Sequence, residues 1–577
     1  MMTLDRMATT EPRLDISNAC RAWLLSIGTI AVLTASAWTT GAASAATAAC
    51  SAASLNALRV DRMTVTAATD TPAAGPNPEY CDVRGSVDTG GNQARFRIQL
   101  PVNWNGKLLF YGVGGTGGSE LASSANPVDG AQALSKGYAT AITDTGHQNA
   151  NNADASFALT APGKVNKPAL DDYLFRAAHM VTVAAKELLK SFYGTRPTRA
   201  YFDGCSNGGR MGLIEATRYP KDYDGIIAGD PTVSQLQVLA LLKGAKAFLN
   251  PADARIPVAM LPVIDAAYTA SCDAVDGMKD GLVQNTARCS FDPQTLVCAG
   301  GNAANCLTQD QAIGLKNYLT PLTDEKGNVV VRAFSGSDLS EGNIQTYALG
   351  PNAPIDPNAA EPWGTLQPAR GWALGDTFLK YVVERDPAFN TQDFEVAVNG
   401  VVARDDLKLY ASRTQNGTAD DPNDYKDFLK GGRKLIIYHG LGDKALSPYV
   451  TMKLYAGLAN EMGGYDRLQQ SARLFIAPGM QHCGGGHGPN SFDTLTALEN
   501  WVENGMAPDS LLATHFVNNN RALPADRTMP LCVFPTEATY KGTGNVNDAA
   551  SWTCAPNERM LEVGTEGIQA GVGSEDR

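Results

Sequence analysis

Residues 201–212 read YFDGCSNGGRMG, and this stretch determines how the surrounding chain folds. Ser206 lies between Gly204 and Gly208 at the spacing G-x-S-x-G. The preceding residues, RAYFDG, are predicted to form a strand, and the following residues, GGRMGLIEATRYP, a helix that its final proline ends. Glycines on both sides allow a tight turn without clashes. The stretch therefore predicts a strand, a sharp turn and a helix with Ser206 at the turn, although a glycine-rich turn with a solvent-facing serine has the same spacing.

Strand-like and helix-like segments alternate on both sides of this unit. ARFRIQLP, GKLLFYGVG and YATAITDTG are predicted strands, and DDYLFRAAHMVTVAAKELLKSFYG has apolar residues at helical spacing. The alternation stops in residues 233–430 and resumes with RKLIIYHGLGD, SPYVTMKLYAGLANEMGG and ARLFIAPGMQHC. This pattern predicts an α/β fold whose core is a mostly parallel sheet flanked by helices. We expect the core to comprise residues 46–232 and 431–577, with 233–430 inserted between them as a lid.

The N-terminus has the pattern of a secretory signal peptide. Arg21 is followed by the apolar run AWLLSIGTIAVLTASAW and then by GAASAATAAC, which holds an A-x-A site at residues 43–45. We therefore expect residues 1–45 to be a signal peptide and the mature protein to be secreted or periplasmic, with a membrane anchor as the alternative. No later apolar stretch reaches the roughly 20 residues that span a bilayer, so the mature chain is predicted to have no membrane span.

Length and charge limit the class of protein. A chain of 577 residues is too long for one ordinary core, so we expect two structural domains. The net charge of −12, with no basic run to offset it, argues against a nucleic-acid partner. The sequence gives no indication of an oligomeric state.

The cysteines suggest disulfides, since ten of the eleven remain after removal of the signal and no C-x-x-C pair occurs. Proximity along the chain suggests four pairs: Cys50–Cys81, Cys272–Cys289, Cys298–Cys306 and Cys532–Cys554. Cys205, directly before Ser206, and Cys483, directly after His482, are left over. We expect these two to form a fifth disulfide, the alternative being two unrelated buried thiols.

A serine hydroxyl becomes a useful nucleophile only when a base removes its proton. His482 follows a predicted strand, and Asp443 lies in the loop after the strand before that one. The order Ser206, Asp443, His482 is that of the α/β-hydrolases. His147, which also ends a predicted strand, is a further candidate for lining the pocket, and Asp443 has an alternative role as a helix N-cap.

An oxyanion hole requires backbone N–H groups aimed at the developing negative charge. The amide of Asn207 is expected to supply one, and that of Gly114 or Gly115, in FYGVGGTGG, the other. No G-K-[ST] follows these glycines, so a nucleotide site is not predicted.

The site residues resemble the CS-D-HC signature of the tannase and feruloyl esterase family, with Cys205-Ser206 as CS, Asp443 as D and His482-Cys483 as HC. The pattern GCSNGGRMG…RYPKDYDGIIAGDP is highly specific to that family. The resemblance implies a serine esterase with Ser206 as nucleophile, His482 as general base and acid, and Asp443 as the orienting carboxylate. It also implies five disulfides, esters of aromatic acids (feruloyl, hydroxycinnamoyl or galloyl) as substrates, and no organic cofactor. The family includes hydrolases of mono(2-hydroxyethyl) terephthalate, so an MHETase-like activity on terephthalate monoesters is an alternative.

The predicted lid contains an acidic loop, CDAVDGMKDGLVQN, with Asp273, Asp276 and Asp280 close together. Clustered carboxylates suit Ca²⁺, which prefers oxygen ligands, although a solvated acidic turn has the same composition. The loop resembles the lid calcium site of the family, which implies these three side chains and the carbonyls of Met278 and Leu282 as ligands of a structural Ca²⁺.

The lid segment EPWGTLQPARGW offers Trp363 and Trp372 for stacking on an aromatic ring and Arg370 for pairing a free carboxylate. Packing in the lid core and exposure at the surface are the alternatives for these residues. A rival of another class is a non-catalytic secreted module that binds calcium or carbohydrate.

Overall fold

Nine strands form the central sheet of the computed structural model, within the residues that the structure describes: 49–121, 128, 133–300, 305–394 and 400–556. These described residues belong to one compact unit, and the predicted signal peptide, residues 1–45, lies outside them. The strands of the sheet are β1 (Met63–Thr71), β2 (Tyr80–Asp88), β3 (Gln93–Pro101), β4 (Lys107–Tyr111), β5 (Ala139–Thr143), β6 (Arg199–Cys205), β7 (Gly225–Gly229), β8 (Lys434–Gly440) and β9 (Ala472–Ala477).

The sheet is mostly parallel, as the sequence predicts. Its order is β1-β2-β3-β5-β4-β6-β7-β8-β9. The first three strands and β5 pair antiparallel, whereas β5, β4, β6, β7, β8 and β9 pair parallel. The parallel strands read as almost continuous apolar runs, such as ATAIT and GIIAG, in which every residue is buried. Burial on both faces is typical of a parallel sheet covered by helices, and it places the carboxyl ends of six strands at one edge.

Helices flank this sheet and build the inserted region. The helices of nine or more residues are α1 (Ala177–Tyr193), α2 (Asn207–Arg218), α3 (Leu236–Lys246), α4 (Leu261–Cys272), α5 (Gln309–Tyr318), α6 (Arg370–Phe378), α7 (Arg404–Thr414), α8 (Pro448–Met462) and α9 (Thr494–Asn504). Four of them, α1, α2, α8 and α9, pack against strands of the central sheet. The helix predicted from residue 171 begins earlier and is interrupted: Lys167–Asp171 is α-helical, residues 172–176 form a π-helical turn, and the α-helix resumes at Ala177.

The inserted region leaves the sheet after Gly229 and returns to it at Lys434. It contains α3 to α7 and a three-stranded sheet of residues 322–324, 329–331 and 401–402. Much of its apolar surface is buried in two clusters separate from the one around the central sheet. We call residues 233–430 the lid, and their limits stay a prediction because the described chain is one compact unit.

One helical stretch, Val258–Asp276, is long and apolar enough to cross a membrane by length and composition alone. The sequence reading overlooked it. It is weak evidence for a membrane span, because core helices pass the same test. Leu261, Ile264, Tyr268 and Cys272 of this stretch are buried in one of the lid clusters.

Candidate active site

Ser206 occupies a strained turn at the carboxyl end of β6. Its backbone has φ +63° and ψ −125°, a region that residues with a side chain seldom adopt. Its N–H donates to the carbonyl of Gly229 at 2.9 Å, and its own carbonyl accepts from Arg210 in the first turn of α2. These bonds hold the turn in the geometry of a nucleophile elbow, which raises the hydroxyl above the sheet edge.

Glycines make this turn possible because the backbones are in contact. A Cβ atom on Gly204 would lie 2.6 Å from the carbonyl carbon of Gly208. A Cβ atom on Gly208 would lie 2.8 Å from the carbonyl carbon of Gly112, in the loop after β4. The start of α2 thus packs directly against β6 and against the glycine loop.

Asp443 and His482 follow β8 and β9, so they lie at the same sheet edge as Ser206. The Oδ2 atom of Asp443 is 2.7 Å from Nδ1 of His482. The Asp443 side chain is fully buried and that of His482 is 8% exposed. Burial alone would raise the pKa of Asp443, yet the imidazoles of His482 and His439 hold that pKa well below its usual range. An ionised carboxylate is therefore held against Nδ1 of the imidazole.

The alternative role of Asp443 as a helix N-cap is wrong. Its Oδ1 atom accepts the N–H groups of Ala445 and Leu446, at 2.6 and 2.9 Å, and so closes a turn before the helix. The N-cap residue of α8 is Ser447.

Ser206 and His482 line one cavity of about 410 Å³ at this edge. Gly114, Gly115 and Asn207, the predicted oxyanion residues, line the same cavity. No hydrogen bond from the amides of Gly114 and Gly115 is found within the described part of the chain, whereas the next amide, that of Thr116, donates to Asn152. Both glycine amides can thus serve a ligand, and the choice between them stays open.

The side chain of Asn207 has a role that the sequence reading missed. Its Nδ2 atom donates to the carbonyl of Val113 at 2.8 Å, and its Oδ1 accepts from Arg210 at the same distance. The residue after the serine therefore ties the elbow to the glycine loop as well as presenting its own amide.

All five predicted disulfides are present. Cys205 and Cys483, whose Cα atoms are 5.9 Å apart, join the elbow to the loop that carries His482. Because 278 positions separate these cysteines along the chain, the bond connects the two halves of the core at the cavity.

A lid segment, residues 335–347, also contacts the loop of His482. The Oδ1 atom of Asn343 accepts the backbone N–H of His482 at 3.2 Å. The ring of Tyr347 packs edge-on against the imidazole, with the ring centroids 5.6 Å apart. Nothing in the sequence around these residues suggests this contact, because it depends on how the lid returns to the core.

The other predicted pocket residues divide between cavity and core. Arg370, the first residue of α6, lines the cavity, and its Nη2 atom donates to Oδ1 of Asn152 at 2.7 Å. Trp363 and Trp372 are buried in a lid cluster and do not line the cavity. His147 does not line it either: its ring stacks on a phenylalanine, and burial lowers its pKa to about 4.

The acidic loop of the lid offers oxygen donors of the kind that a hard cation prefers, although its three carboxylates do not form one of the groups of described side chains whose ligand atoms lie within 4.8 Å of one another. Burial raises the pKa of Asp276 to about 6, and the charges of Asp280 and Asp273 also raise it. Hydrogen bonds from the amides of Gln284 and Met278 act in the opposite direction. The carboxylates also accept amides of their own loop, as Asp273 does from Gly281 at 3.0 Å. The carbonyls of Met278 and Leu282 accept no hydrogen bond within the described residues. A Ca²⁺ ion bound by these oxygens would relieve the repulsion among the three acids.

Comparison with known proteins identifies relatives that match most of the chain. The family described as tannase and feruloyl esterase matches residues 81–555. Mono(2-hydroxyethyl) terephthalate hydrolase of Piscinibacter sakaiensis is 32% identical over 549 residues, which cover 85% of this chain and 87% of that protein. A probable feruloyl esterase B-2 of Neosartorya fischeri is 26% identical over 501 residues, covering 82% and 86%.

Solved structures share the fold. Feruloyl esterase B from Aspergillus oryzae superposes with a TM-score of 0.71 at 23% identity, covering 86% of this chain and 97% of that one. Tannin acyl hydrolase from Aspergillus niger gives 0.68 at 21% identity, covering 89% and 98%. The predicted α/β-hydrolase core with a large insertion is therefore confirmed.

Proposed function

Because the chain belongs to the tannase and feruloyl esterase family and is a carboxylic ester hydrolase, we propose that it is an exported serine esterase acting on feruloyl, hydroxycinnamoyl or galloyl esters. One observation carries the proposal: an ionised Asp443 holds His482 at the edge of a cavity that the strained Ser206 also lines. The five disulfides and the N-terminal signal pattern support export.

In the acylation step, Oγ of Ser206 attacks the ester carbonyl while Nε2 of His482 takes the hydroxyl proton. Asp443 keeps the other ring nitrogen, Nδ1, protonated and stabilises the imidazolium that forms. The amide of Asn207, with that of Gly114 or Gly115, stabilises the oxyanion of the tetrahedral intermediate. When the intermediate collapses, the alcohol leaves with the proton from His482, and the aromatic acid stays esterified to Ser206.

Hydrolysis of this acyl-enzyme repeats the same chemistry with water. His482 takes a proton from the water as its oxygen attacks the acyl carbonyl, and the oxyanion amides stabilise the second intermediate. The C–O bond to Ser206 then breaks, the serine recovers its proton from His482, and the aromatic acid is released.

A substrate panel tests this proposal. Hydrolysis of methyl ferulate, methyl gallate, chlorogenate and mono(2-hydroxyethyl) terephthalate is followed by chromatography of the released acid. We expect turnover of at least one hydroxylated aromatic ester, with both products in equal amounts. A chain that hydrolysed none of them and did not react with a fluorophosphonate would instead be a non-catalytic module.

A second candidate is the hydrolysis of terephthalate monoesters, and Arg370 favours it. This guanidinium lies at the cavity that Ser206 lines, and its Nη2 donates to the neutral amide of Asn152, so it is not neutralised there. A planar guanidinium pairs well with a carboxylate, which a terephthalate monoester carries on the far side of its ring.

Replacement of Arg370 by alanine is expected to raise KM for mono(2-hydroxyethyl) terephthalate by about 10- to 100-fold, because a hydrogen bond to a charged group contributes roughly 1.5–3 kcal/mol. Dimethyl terephthalate, which lacks the carboxylate, is the matched control and should be affected little. Steady-state kinetics on the two esters provide the measurement. Equal changes in KM for both esters would contradict a carboxylate-binding role.

Calcium in the lid is part of the same proposal. The side chains of Asp273, Asp276 and Asp280 would hold the ion, together with the carbonyls of Met278 and Leu282. The ion would contribute positive charge and rigidity to the loop beside the disulfide of Cys272 and no chemistry at the ester. Its role would therefore be structural.

Chelation of Ca²⁺ is expected to lower the melting temperature by a few degrees, because a ligand at 100 times its Kd stabilises the folded state by roughly 2.7 kcal/mol. Differential scanning calorimetry with EDTA and then with excess Ca²⁺ gives the measurement, and elemental analysis gives the stoichiometry. Asp276→Asn should abolish the response, whereas Asp324→Asn, in an exposed turn of the lid, should preserve it. The site would be ruled out if neither EDTA nor Ca²⁺ changed the melting temperature and elemental analysis found no metal.

A further inference from the structure

Two buried side chains, neither of which lines the cavity, lie next to Asp443. Asp230 follows β7 and His439 lies at the end of β8, and both are fully buried, as is Asp443. One ligand atom from each of the three lies within 4.8 Å of the others. None of the steps described above uses Asp230 or His439, and polar groups buried this deeply without a role are unusual.

His439 contacts the same oxygen of Asp443 that holds His482. Its Nε2 atom is 3.2 Å from Oδ2 of Asp443 and 3.1 Å from the carbonyl of Leu446. Both partners are acceptors, so Nε2 carries a hydrogen that it donates toward them. The other nitrogen, Nδ1, is 2.8 Å from the hydroxyl of Thr451, which can donate to it. Both ring nitrogens of His439 are thus held, one of them close to Oδ2 of Asp443.

Asp230 is held in a strained conformation. Its φ of +37° is in the region that favours glycine, and its N–H donates to the carbonyl of Tyr438 at 2.8 Å. Its Oδ1 atom accepts the N–H of Gly440 at 2.8 Å. The strain is maintained because these two bonds hold Asp230 against Tyr438 and Gly440 at the end of β8. Strained residues of this kind are concentrated at functional sites.

The second carboxyl oxygen of Asp230, Oδ2, lies near a disulfide sulfur, which cannot donate a hydrogen bond. Its Oδ2 atom is 3.5 Å from Sγ of Cys205, which is bonded to Cys483. A disulfide sulfur can only accept a hydrogen bond, and so can the ionised Asp443. A carboxylic acid is the form of Asp230 that matches these neighbours, because it has a hydrogen to donate.

Electrostatics supports the same protonation states. Burial raises the pKa of Asp230 to about 8; His439 opposes this shift and the charge of Asp443 adds to it. The pKa of Asp443 is shifted in the opposite direction, as described above. Two carboxyl groups this close together in a buried site do not both ionise, so one of them keeps a proton.

We propose that Asp230 and His439 are positioning residues of the esterase: together they hold the Asp443 carboxylate in the orientation that directs Oδ2 to His482. Protonated Asp230 has one hydrogen to donate, toward Asp443 or Cys205, and His439 donates to Oδ2 of Asp443. Because Asp230 also contacts Cys205, it links the acid of the triad to the disulfide beside Ser206. The inference rests on the proposed function.

Two substitutions at Asp230 separate positioning from packing. Asp230→Asn keeps an N–H donor of the same shape, so kcat at pH 7 should stay close to that of the wild type. Asp230→Ala removes the donor, and kcat should fall by about 10²-fold, as for a small misplacement of a catalytic group, with KM little changed. Asp172, a buried acid that binds Arg176 away from the cavity, is the matched control, and Asp172→Ala should affect stability and not kcat.

The pH profile gives a second readout. The charged or titratable groups around Asp230 are His439, Asp443 and Tyr347, with His482 and Lys444 beyond Asp443. Loss of the Asp230 proton would place a second negative charge beside Asp443, so wild-type kcat should fall above a pH of about 8. Asp230→Asn should lose this alkaline decline. Lys444→Met, which removes the other nearby group whose pKa is about 8, should retain it.

The rate at which a fluorophosphonate labels Ser206 tests the positioning role of Asp230 and His439 separately from the proposed substrate class. Labelling needs the triad but no particular ester. The same ranking of variants is expected in this rate. The proposal is overturned if folded Asp230→Ala has wild-type kcat and labelling rate, or if Asp230→Asn loses activity as Asp230→Ala does. It is also overturned if the alkaline decline is absent from the wild type or persists in Asp230→Asn. Should Asp230→Ala not fold, His439→Gln and His439→Leu provide the same contrast at Nε2.

Discussion

Replacement of Ser206 by alanine is expected to lower kcat for an aromatic ester by about 10³-fold or more, with little change in substrate binding. The reason is chemical: no acyl-enzyme can form without the hydroxyl, and the oxyanion amides alone give only a small residual acceleration. His482→Ala should have an effect of similar size, because the serine then keeps its proton. Steady-state kinetics and a direct binding measurement with the inactive variant provide the test.

The control for this prediction is Ser412→Ala, on the exposed side of α7, which should leave both kinetic parameters unchanged. Melting temperatures of all variants distinguish loss of chemistry from loss of fold. A Ser206→Ala enzyme that kept a substantial fraction of the wild-type kcat would show that another group attacks the ester.

Removal of the disulfide between Cys205 and Cys483 is expected to have the second largest effect. The bond joins positions 278 residues apart, and chain-entropy arguments give such a cross-link roughly 4 to 5 kcal/mol, a figure that measured values often do not reach. The double variant to alanine should therefore unfold at a lower temperature. Its kcat should also fall more than its substrate affinity, because the loops of Ser206 and His482 are no longer joined.

The matched control is the double variant Cys532→Ala and Cys554→Ala, which opens a disulfide between positions 22 residues apart. That bond joins strand 525–532 of one C-terminal hairpin to strand 552–556 of the next, and neither cysteine lines the cavity. It should cost stability and leave kcat almost unchanged. Equal losses of kcat in the two double variants, or free thiols at Cys205 and Cys483 in active enzyme, would contradict the assignment.

The sequence predicts the parallel part of the sheet and the order of the site residues along it. Apolar runs such as LIIYHG are long enough to identify a strand, and the loops that follow β6, β8 and β9 must meet at one edge. The position of Ser206, Asp443 and His482 at that edge follows from these two facts. The disulfide of Cys205 and Cys483 follows from the same proximity.

Other elements have weaker signals. The edge strand β1, MTVTAATDT, is mostly polar and exposed, so its pairing with β2 is not evident from composition. The C-terminal hairpins, such as residues 510–516 with 525–532, were likewise not predicted. Hydrophobic patterns report burial, and these strands bury little of their surface.

Roles that depend on the third dimension could not be predicted. The sequence suggests Trp363 and Trp372 as residues of an aromatic pocket, but both are buried in a hydrophobic cluster of the lid. Asp230 and Asn343 are distant in sequence from Asp443 and His482, and only the folded chain brings them together. The same holds for the side chain of Asn207, whose bond to Val113 requires the glycine loop to be in place.

Ser206 is proposed as the nucleophile of a serine esterase. The most direct measurement is mass spectrometry of proteolytic fragments after reaction with a fluorophosphonate. We expect one adduct, on the fragment that contains Ser206, which is absent from Ser206→Ala and forms much more slowly in His482→Ala. An active enzyme that took no label, or took it on a residue other than Ser206, would show that Ser206 is not the nucleophile.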